Sequence, residues 1–359
     1  MTKKISYSAP GRVCLYGEHQ DYLKLTVIPA AIDLRTTISV ERNNLNEINI
    51  ESQDLKKTDV FEVNNSITLA KNEFDYFRAI ILVLYKEGLV KKIPGFNVTV
   101  SSQVPIGSGL SSSAAILVSW LTALNDQLNL ELSRTEIANL CFIAENKILG
   151  VNCGIMDQYS SSLGGIFSLD CDGPPHKIQR FTTKLDGLVI GDSCVRRSAN
   201  EPLTLLKSQI INGFEKIKEQ GDFNLKTLAS NTLTEFRDII TEEEYRRLLG
   251  VITIRNITER SSKELSKSEN QDIKCLGTLL TKQQTMLRDY LGVSIPELDN
   301  LVDISLKSGA LGAKLTGAGL GGCIIALAPG KEEEVAAAIN NAGGKATICK
   351  IDFEGAKKE

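Results

Sequence analysis

Four short stretches of the sequence concentrate residues whose types and spacing could do chemistry. The first, residues 10–22, places Glu18, His19 and Asp21 directly after Gly17. Two carboxylates and an imidazole together offer hydrogen-bond donors and acceptors to a ligand that carries many hydroxyl groups. A solvated polar turn has the same composition, so this stretch alone leaves both interpretations open.

The second stretch, residues 104–115, runs Val-Pro-Ile-Gly-Ser-Gly-Leu-Ser-Ser-Ser-Ala-Ala into a helical pattern. Backbone N–H groups at a helix N-terminus attract anions, and a phosphate can be held there without a lysine. The spacing matches neither GxxxxGK[ST] nor GxGxxG, which are the standard nucleotide-binding patterns. A serine-rich helix cap is the alternative interpretation.

The third stretch, residues 315–323, has glycines at positions 317, 319, 321 and 322 between two strand-like runs. Glycine lets a backbone approach another group closely, since it carries no Cβ. A tight hairpin with a bulge would use the same residues.

The fourth stretch, residues 144–159, carries two carboxylates. Glu145 lies late in a predicted helix, and Asp157 follows Gly154. Near a phosphate-binding loop, such a pair could supply one metal ligand and one general base. Surface carboxylates are common, and either residue by itself is compatible with that simpler role.

The elements that must position these stretches are mixed α and β up to about residue 185 and largely helical afterwards. The limits of the predicted helices and strands come from the spacing of apolar residues, from a capping box formed by Ser133 and Glu136, and from glycines that end helices. Strands are predicted near 38–42, 48–50, 95–100, 313–316, 323–327 and 345–352, and helices near 112–129, 134–149, 202–220, 241–264, 273–291, 295–308 and 331–342. We expect two domains, 1–185 and 186–359, and a frayed end at 354–359.

Length and composition exclude several classes of protein. A chain of 359 residues exceeds the roughly 250–300 that one core supports, which favours two domains. A net charge of −3 gives no general field for nucleic acid, and no apolar run reaches membrane-spanning length. Eight cysteines are scattered without a CxxC pair, and the chain has two histidines. A zinc site or a disulfide scaffold is therefore not expected. We expect a cytoplasmic location, where thiols stay reduced.

Taken together and in this order, the four stretches resemble the GHMP kinase superfamily, and within it the galactokinase-like branch. Residues 10–22 resemble GR-x-N-x-x-GEH-x-DY, with Cys14 in place of the asparagine, and residues 105–114 match P-x-x-x-GLSSSA. Residues 144–158 are similar to AE-x-x-x-x-G-x-x-CGIMDQ, and residues 195–198 to a VRHS-type strand. The third stretch, KLTGAGLGGC, is closer to the glycine loop of mevalonate kinases than to the galactokinase pattern MTGGGFGGC.

The resemblance implies an ATP-dependent kinase that phosphorylates a monosaccharide, most simply at its anomeric hydroxyl. It assigns Asp157 as the base and Arg12 as the neighbouring cation that helps to stabilise charge on the transferring group. Expected substrate ligands are Glu18, His19, Asp21 and Gly154. Expected ATP-binding residues are Gly107, Ser108, Gly109, Leu110, Ser111, Ser112 and Ser113, with Phe74 and Phe77 near adenine and the glycine loop at Gly317, Gly319 and Gly321. Ser113 and Glu145 would hold Mg²⁺.

The implied fold is α+β (mixed α/β), with an N-terminal ribosomal-S5-like domain, a C-terminal ferredoxin-like domain and the active site in the cleft between them. The expected partners are a small-molecule sugar and ATP, with no nucleic acid or membrane, and the chain would be a monomer or homodimer. Leu23-Lys-Leu25 departs from the Asn-x-Gly that is common in galactokinases, so galactose is the leading candidate among hexoses, amino sugars, arabinose and uronic acids. Two alternatives remain: phosphorylation of an isoprenoid alcohol, as in mevalonate kinases, and a non-catalytic sensor of sugar and ATP.

Overall fold

The structure is a computed structural model that describes residues 4–64, 66–196, 201–267 and 269–359. Its twelve strands within these ranges are β1 Ile5–Tyr16, β2 Thr26–Arg42, β3 Glu47–Ser52, β4 Lys57–Glu62, β5 Phe96–Ser102, β6 Ile166–Asp170, β7 Lys177–Phe181, β8 Leu188–Asp192, β9 Gly312–Thr316, β10 Cys323–Leu327, β11 Lys345–Cys349 and β12 Lys357–Lys358. The helices are α1 Asp75–Lys86, α2 Ser112–Leu128, α3 Arg134–Ile143, α4 Met156–Leu163, α5 Glu201–Lys218, α6 Ser230–Thr234, α7 Glu242–Leu265, α8 Ile273–Thr285, α9 Pro296–Lys307 and α10 Glu332–Asn341.

Two β-sheets organise the described part of the chain. The larger sheet has the order β12-β1-β2-β5-β3-β4, and β6 and β7 extend from β2. The smaller sheet, β11-β8-β10-β9, pairs its strands antiparallel. Sheets combined with ten helices confirm the predicted mixed α/β class.

Two helices, α3 and α7, begin at a residue whose side chain accepts a hydrogen bond from a free backbone N–H group of the first turn. The Ser133 side chain accepts a hydrogen bond from Glu136 N at the start of α3, as the capping box predicts, and Thr241 does the same for Glu244 N at α7. The helix predicted over 134–149 is realised as α3 followed by a π-helical turn, Ala144–Ile148. That turn carries Glu145, which bears on the site described below.

The hydrophobic core continues between the two sheets. One cluster lies under the larger sheet around Trp120, and another packs the helices of the second half around Leu248. A third cluster combines Val13 and Leu15 from β1 with Ile325 from β10. The two halves share this cluster, and the boundary predicted near residue 185 stays a prediction.

The end of the chain differs from the sequence-based expectation of a frayed segment. β12 pairs antiparallel with β1, with Tyr7 opposite Lys358 and Ser8 opposite Lys357. The Glu359 N–H donates to Ser6 O over 2.9 Å. The prediction of fraying is therefore wrong, because the edge of β1 was open to pairing with a strand from the far end of the sequence.

No helix among the described residues is both long and apolar enough to cross a bilayer. All eight cysteines are free thiols.

Candidate active site

A bidentate ion pair between Arg12 and Asp157 lies at the centre of the site. Arg12 Nε donates to Asp157 Oδ1 and Nη2 donates to Asp157 Oδ2, both over 2.8 Å. Burial disfavours the charged guanidinium, but the charge and hydrogen bonds of Asp157 outweigh it and raise the pKa of Arg12. The Asp157 side chain remains 24% exposed, whereas that of Arg12 is 5% exposed. The carboxylate is therefore held in one orientation and stays open to a ligand.

The same arginine connects Asp157 to the serine-rich loop before α2. Its Nη1 donates to Gly109 O, and its backbone N–H donates to Leu110 O over 3.0 Å. Ser111 immediately precedes α2 with φ +63°, and its buried Oγ has no hydrogen-bond partner. An unpaired buried hydroxyl at a helix N-terminus is a group that a bound anion would satisfy. Arg12 thus links Asp157, the predicted base, to the predicted phosphate loop, residues 107–113.

The glycine loop after β9 packs against this phosphate loop. A methyl group on Gly109 would lie 2.9 Å from Thr316 O, and one on Gly317 would lie 2.9 Å from Gly109 O. Both glycines have positive φ, +83° in each case. The close approach suggested by the glycine spacing is therefore an approach to the protein's own phosphate loop.

The polar turn after β1, residues 17–22, lies against the segment that precedes Asp157. A methyl group on Gly154 would lie 1.8 Å from Asp21 Oδ2, so Asp21 lies directly against Gly154. Burial, followed by the negative charge of Asp157, raises the pKa of Asp21 to about 6. Asp21 accepts a hydrogen bond from Tyr22 N over 2.9 Å. The carboxylates of Asp21 and Asp157, with Gly154 beside Asp21, form an acidic wall. Its oxygens can accept hydrogen bonds from hydroxyl groups.

His19 joins this turn to the glycine loop. Its Nε2 lies 3.2 Å from Ala318 O and its Nδ1 lies 3.1 Å from Tyr22 Oη. A carbonyl oxygen can only accept, so a neutral ring would donate from Nε2 to Ala318 O and accept a hydrogen bond from the Tyr22 hydroxyl at Nδ1. His19 is 9% exposed and is fixed by both contacts.

Glu145 meets Ser113 beneath the phosphate loop. Gln158 Nε2 donates to the Glu145 carboxylate over 2.6 Å, and the nearby Ser113 hydroxyl favours the charged form of that carboxylate. Burial raises the pKa of Glu145. A hydroxyl and a carboxylate are oxygen ligands of the kind that Mg²⁺ prefers, so these residues fit the ion. Among the described residues, no group of three or more His, Cys, Asp or Glu side chains could hold a metal ion, and bound phosphates and water would supply the remaining ligands.

Two predicted contacts receive little support from the geometry. Phe74 and Phe77 are 4% and 2% exposed, and Phe77 packs against Trp120 with ring centroids 5.5 Å apart. Both rings lie in the core and expose little surface to a ligand. Their contact with adenine stays a prediction. Glu18 is 1% exposed and its carboxylate is bonded to Lys314 and Gln283, so its role as a substrate ligand also stays a prediction.

Several polar residues of the site were not singled out from sequence. Lys314 and Gln283 bind Glu18 from distant parts of the chain, and no local pattern could have revealed them. Gln158 directly follows Asp157 in the motif quoted above, so its place beside the predicted base is a signal from which it could have been found. Arg196 Cδ would lie 3.8 Å from a methyl group on Gly107, which brings a cation beside the phosphate loop. Of the predicted VRHS-type strand, Arg197 and Ser198 lie outside the described residues, and Val195 and Arg196 are not in a strand.

Comparison with protein-family models gives matches over three parts of the chain. Residues 75–165 match the GHMP kinases N terminal domain, residues 263–345 match GHMP kinases C terminal, and residues 2–42 match the galactokinase galactose-binding signature. The three matches include all four stretches described above.

Curated relatives extend the similarity over nearly the whole chain. The galactokinase of Thermococcus kodakarensis is 34% identical over 323 residues, covering 89% of this chain and 88% of the relative. The mevalonate kinase of Pyrococcus horikoshii is 32% identical over 367 residues, covering 100% of this chain and 99% of the relative.

Two solved structures share the fold of this chain. The crystal structure of Lactococcus lactis galactokinase complexed with galactose superposes with a TM-score of 0.89 at 25% identity, covering 99% of this chain and 95% of that one. A mevalonate kinase structure superposes with a TM-score of 0.72, also at 25% identity, with 97% and 99% coverage. The chain belongs to the GHMP kinases, in their galactokinase-like branch.

Proposed function

We propose that the protein transfers the γ-phosphoryl group of ATP to a monosaccharide, most simply to its anomeric hydroxyl. The observation that carries the proposal is the Arg12–Asp157 ion pair, which is bonded to the phosphate loop at Gly109 O and lies near Asp21 of the polar turn after β1. A substrate hydroxyl held by the turn would meet a triphosphate held by the loop at this carboxylate.

Asp157 acts in this proposal as the proton acceptor. Its carboxylate takes the proton of the attacking hydroxyl, so that the oxygen forms a bond to the γ-phosphorus while the bond to the β-phosphate oxygen breaks. Arg12 fixes the orientation of the carboxylate through two hydrogen bonds. Its charge also offsets the negative charge that gathers at the transferring group.

The phosphate loop binds the triphosphate through its backbone N–H groups from Gly107 to Ser113 and through the unpaired Ser111 hydroxyl. Ser113 and Glu145 would hold Mg²⁺, which when bound neutralises charge on the phosphates. Arg196 supplies a further cation beside the loop, and Asp192 orients it through two hydrogen bonds of 2.8 and 2.9 Å.

Glu18, His19, Asp21 and the backbone at Gly154 are proposed to bind the sugar hydroxyls; Glu18 and His19 already have protein partners, which a sugar hydroxyl would have to share or replace. This assignment rests on their position around Asp157 and on the match of residues 2–42 to the galactose-binding signature. Galactose is the leading candidate substrate, because the Lactococcus lactis relative of the same fold is described in complex with galactose.

A second candidate, phosphorylation of mevalonate, has its own support. The Pyrococcus horikoshii mevalonate kinase aligns over the full chain at 32% identity. The KLTGAGLGGC glycine loop also favours it. Against it stands the polar turn with both His19 and Asp21, which suits a ligand with several hydroxyl groups.

A coupled assay of ADP release tests the proposal. Galactose, other hexoses, an amino sugar, arabinose and a uronic acid are compared with mevalonate at equal concentrations, and ³¹P NMR identifies the phosphorylated position. We expect turnover with one sugar class and a sugar 1-phosphate as product. Turnover of mevalonate with no sugar would replace the proposal by the second candidate, and ATP binding without turnover of any substrate would favour a sensor.

A further inference from the structure

Gln158 is a buried amide that bonds to the carboxylate assigned to Mg²⁺. It is 0% exposed, and its Nε2 donates to Glu145 Oε2 over 2.6 Å. An ionised carboxylate can only accept hydrogen bonds, so this contact fixes which side of the amide faces Glu145. The amide and the carboxylate therefore form one buried pair.

Helix α4 places this amide directly after the proposed base. Asp157 is held by two hydrogen bonds from Arg12, and Gln158, the next residue, holds Glu145. Because the two residues are adjacent in one helix, they cannot move independently of each other. The base and the proposed metal ligand are thus attached to the same rigid element.

The backbone around Glu145 is fixed by a second amide. Glu145 lies in the π-helical turn Ala144–Ile148, a kind of turn that is frequent at functional sites. Asn146 Nδ2 donates to Val151 O and to Cys153 O, each over 3.2 Å. These bonds hold the turn against the segment that precedes Gly154, whereas the bond from Gln158 holds the carboxylate itself.

The other side of the Gln158 amide offers an acceptor. Its Oε1 is buried and has no hydrogen-bond partner among the described residues. Buried polar atoms in folded proteins are normally hydrogen-bonded, and a donor that arrives with a ligand, such as a water molecule bound to a metal ion, can satisfy one. This second observation points to a ligand beside Glu145.

We propose that Gln158 is a positioning residue for phosphoryl transfer, which acts through Glu145 and holds its carboxylate in the orientation that binds Mg²⁺. The proposal rests on the proposed function and refines it. A carboxylate that is free to rotate would lose side-chain entropy on binding the ion, and Gln158 removes that cost in advance. Replacing a residue that orients a metal ligand typically lowers metal affinity or activity by about 10–100-fold.

Four variants test the proposal: Q158M, Q158N, E145Q and E145Q/Q158M. Methionine keeps the length of the side chain and removes the donor, while asparagine keeps the amide and is one methylene too short, so either variant remains informative if the other does not fold. Calorimetry measures Kd for the non-hydrolysable β,γ-imido analogue of ATP, once with Mg²⁺ and once with EDTA. The ratio of the two Kd values gives the tightening due to the ion.

Q284M is the matched control, and thermal unfolding is measured for every variant. Gln284 is 3% exposed, and its Nε2 donates over 2.9 Å to Asp299 Oδ1, a carboxylate other than Glu145. We expect Q284M to lower Tm and to leave the tightening by Mg²⁺ near the wild-type value. A loss of buried packing alone would affect both glutamine variants alike.

We expect Q158M and Q158N to reduce the tightening by Mg²⁺ about tenfold, with Kd in EDTA within about threefold of wild type. In the E145Q background, Q158M should change the ratio little, because its effect passes through Glu145. Three results would overturn the proposal: a folded Q158M or Q158N with the wild-type ratio, an undiminished effect of Q158M in the E145Q background, or wild-type binding that Mg²⁺ does not tighten. If the wild type phosphorylates no sugar, the proposed function fails, while the binding ratios still decide the role of Gln158.

Discussion

Asp157 combines two properties that a general base requires. Two hydrogen bonds from Arg12 fix its orientation, and its carboxylate remains accessible at 24% exposure. Replacement by asparagine keeps the size of the side chain and removes the proton acceptor. We expect D157N to lower kcat by about 10²–10⁴-fold, the usual contribution of a general base, with ATP affinity within a few-fold of wild type.

Steady-state kinetics and ATP-binding calorimetry measure the two quantities. Asp170→Asn is a control, since Asp170 is similarly exposed, at 27%, and forms its ion pair with Lys226 rather than with Arg12. Undiminished kcat in D157N would refute the assignment of the base.

Asp21 provides a pH-dependent signature of the acidic wall. Burial and the nearby Asp157 charge raise its pKa from 3.8 to about 6. Between these values the folded protein retains a proton that the unfolded chain releases, so the free energy of unfolding falls as the pH rises from 4 to 6. Ionisation at higher pH then costs the folded state about 3 kcal/mol.

Asp21→Asn removes this cost, and its amide oxygen can still accept from Tyr22 N. We expect the variant to have a higher Tm than the wild type at pH 8 and nearly the same Tm at pH 4. Differential scanning fluorimetry across this range measures the difference. A difference in Tm that is the same at both pH values would contradict the raised pKa.

At the scale of elements, the contact between the phosphate loop and the glycine loop depends on two glycines. Gly109 has φ +83° and lies against Thr316 O, whereas Gly88 has φ +68° with no atom within 4 Å of a built methyl group. Each change to alanine carries the cost of a left-handed backbone, about 1–2 kcal/mol. The G109A change additionally forces the two loops apart.

We therefore expect G109A to raise KM for ATP at least about tenfold and to lower Tm more than G88A does, while G88A leaves KM for ATP near the wild-type value. Thermal unfolding and ATP-dependent kinetics of the two variants provide the comparison. Equal ATP KM values for both would show that the loop contact is unimportant for binding.

Local patterns predict the elements that local physics determines. α2 follows from apolar residues at helical spacing, and the start of α3 follows from its capping box. The apolar run before Gly17 is strand-like, but the full length of β1 is not readable from its own pattern, since it continues across Pro10-Gly11 and pairs with β2 through a register shift at that point. The strand is formed by its neighbours rather than by its own sequence preference.

The candidate site was predicted as four separate stretches, and the resemblance to known kinases supplied their roles. Spacing alone could not bring Arg12 to Asp157 or Lys314 to Glu18, since the partners are 145 and 296 residues apart. A buried lysine in an otherwise apolar strand such as β9 has no recognisable signal until its partner is located. Contacts of this range are determined by the fold as a whole.

At the scale of the whole molecule, the end of the chain returns to the sheet that contains its beginning. β12 pairs with β1, and Arg35 of β2 forms a buried ion pair with Asp352 just before it. Ala356 is 6% exposed and lies in the core of the first half. The C-terminal segment therefore closes an edge of the sheet whose strand β1 also carries Arg12.

Deletion of residues 354–359 should expose the edge of β1 and part of this core. We expect a loss of stability of about 2 kcal/mol or more, since backbone pairing and apolar burial are lost together, and a lower Tm follows. The matched control is the double variant K357A/K358A, which removes the charges of β12 and keeps its backbone. Because surface ion pairs contribute about 0–1 kcal/mol, this control should unfold near the wild-type temperature. A truncated protein that is as stable as the control would mean that β12 is dispensable, and that β1 holds Arg12 in place through its pairing with β2 alone.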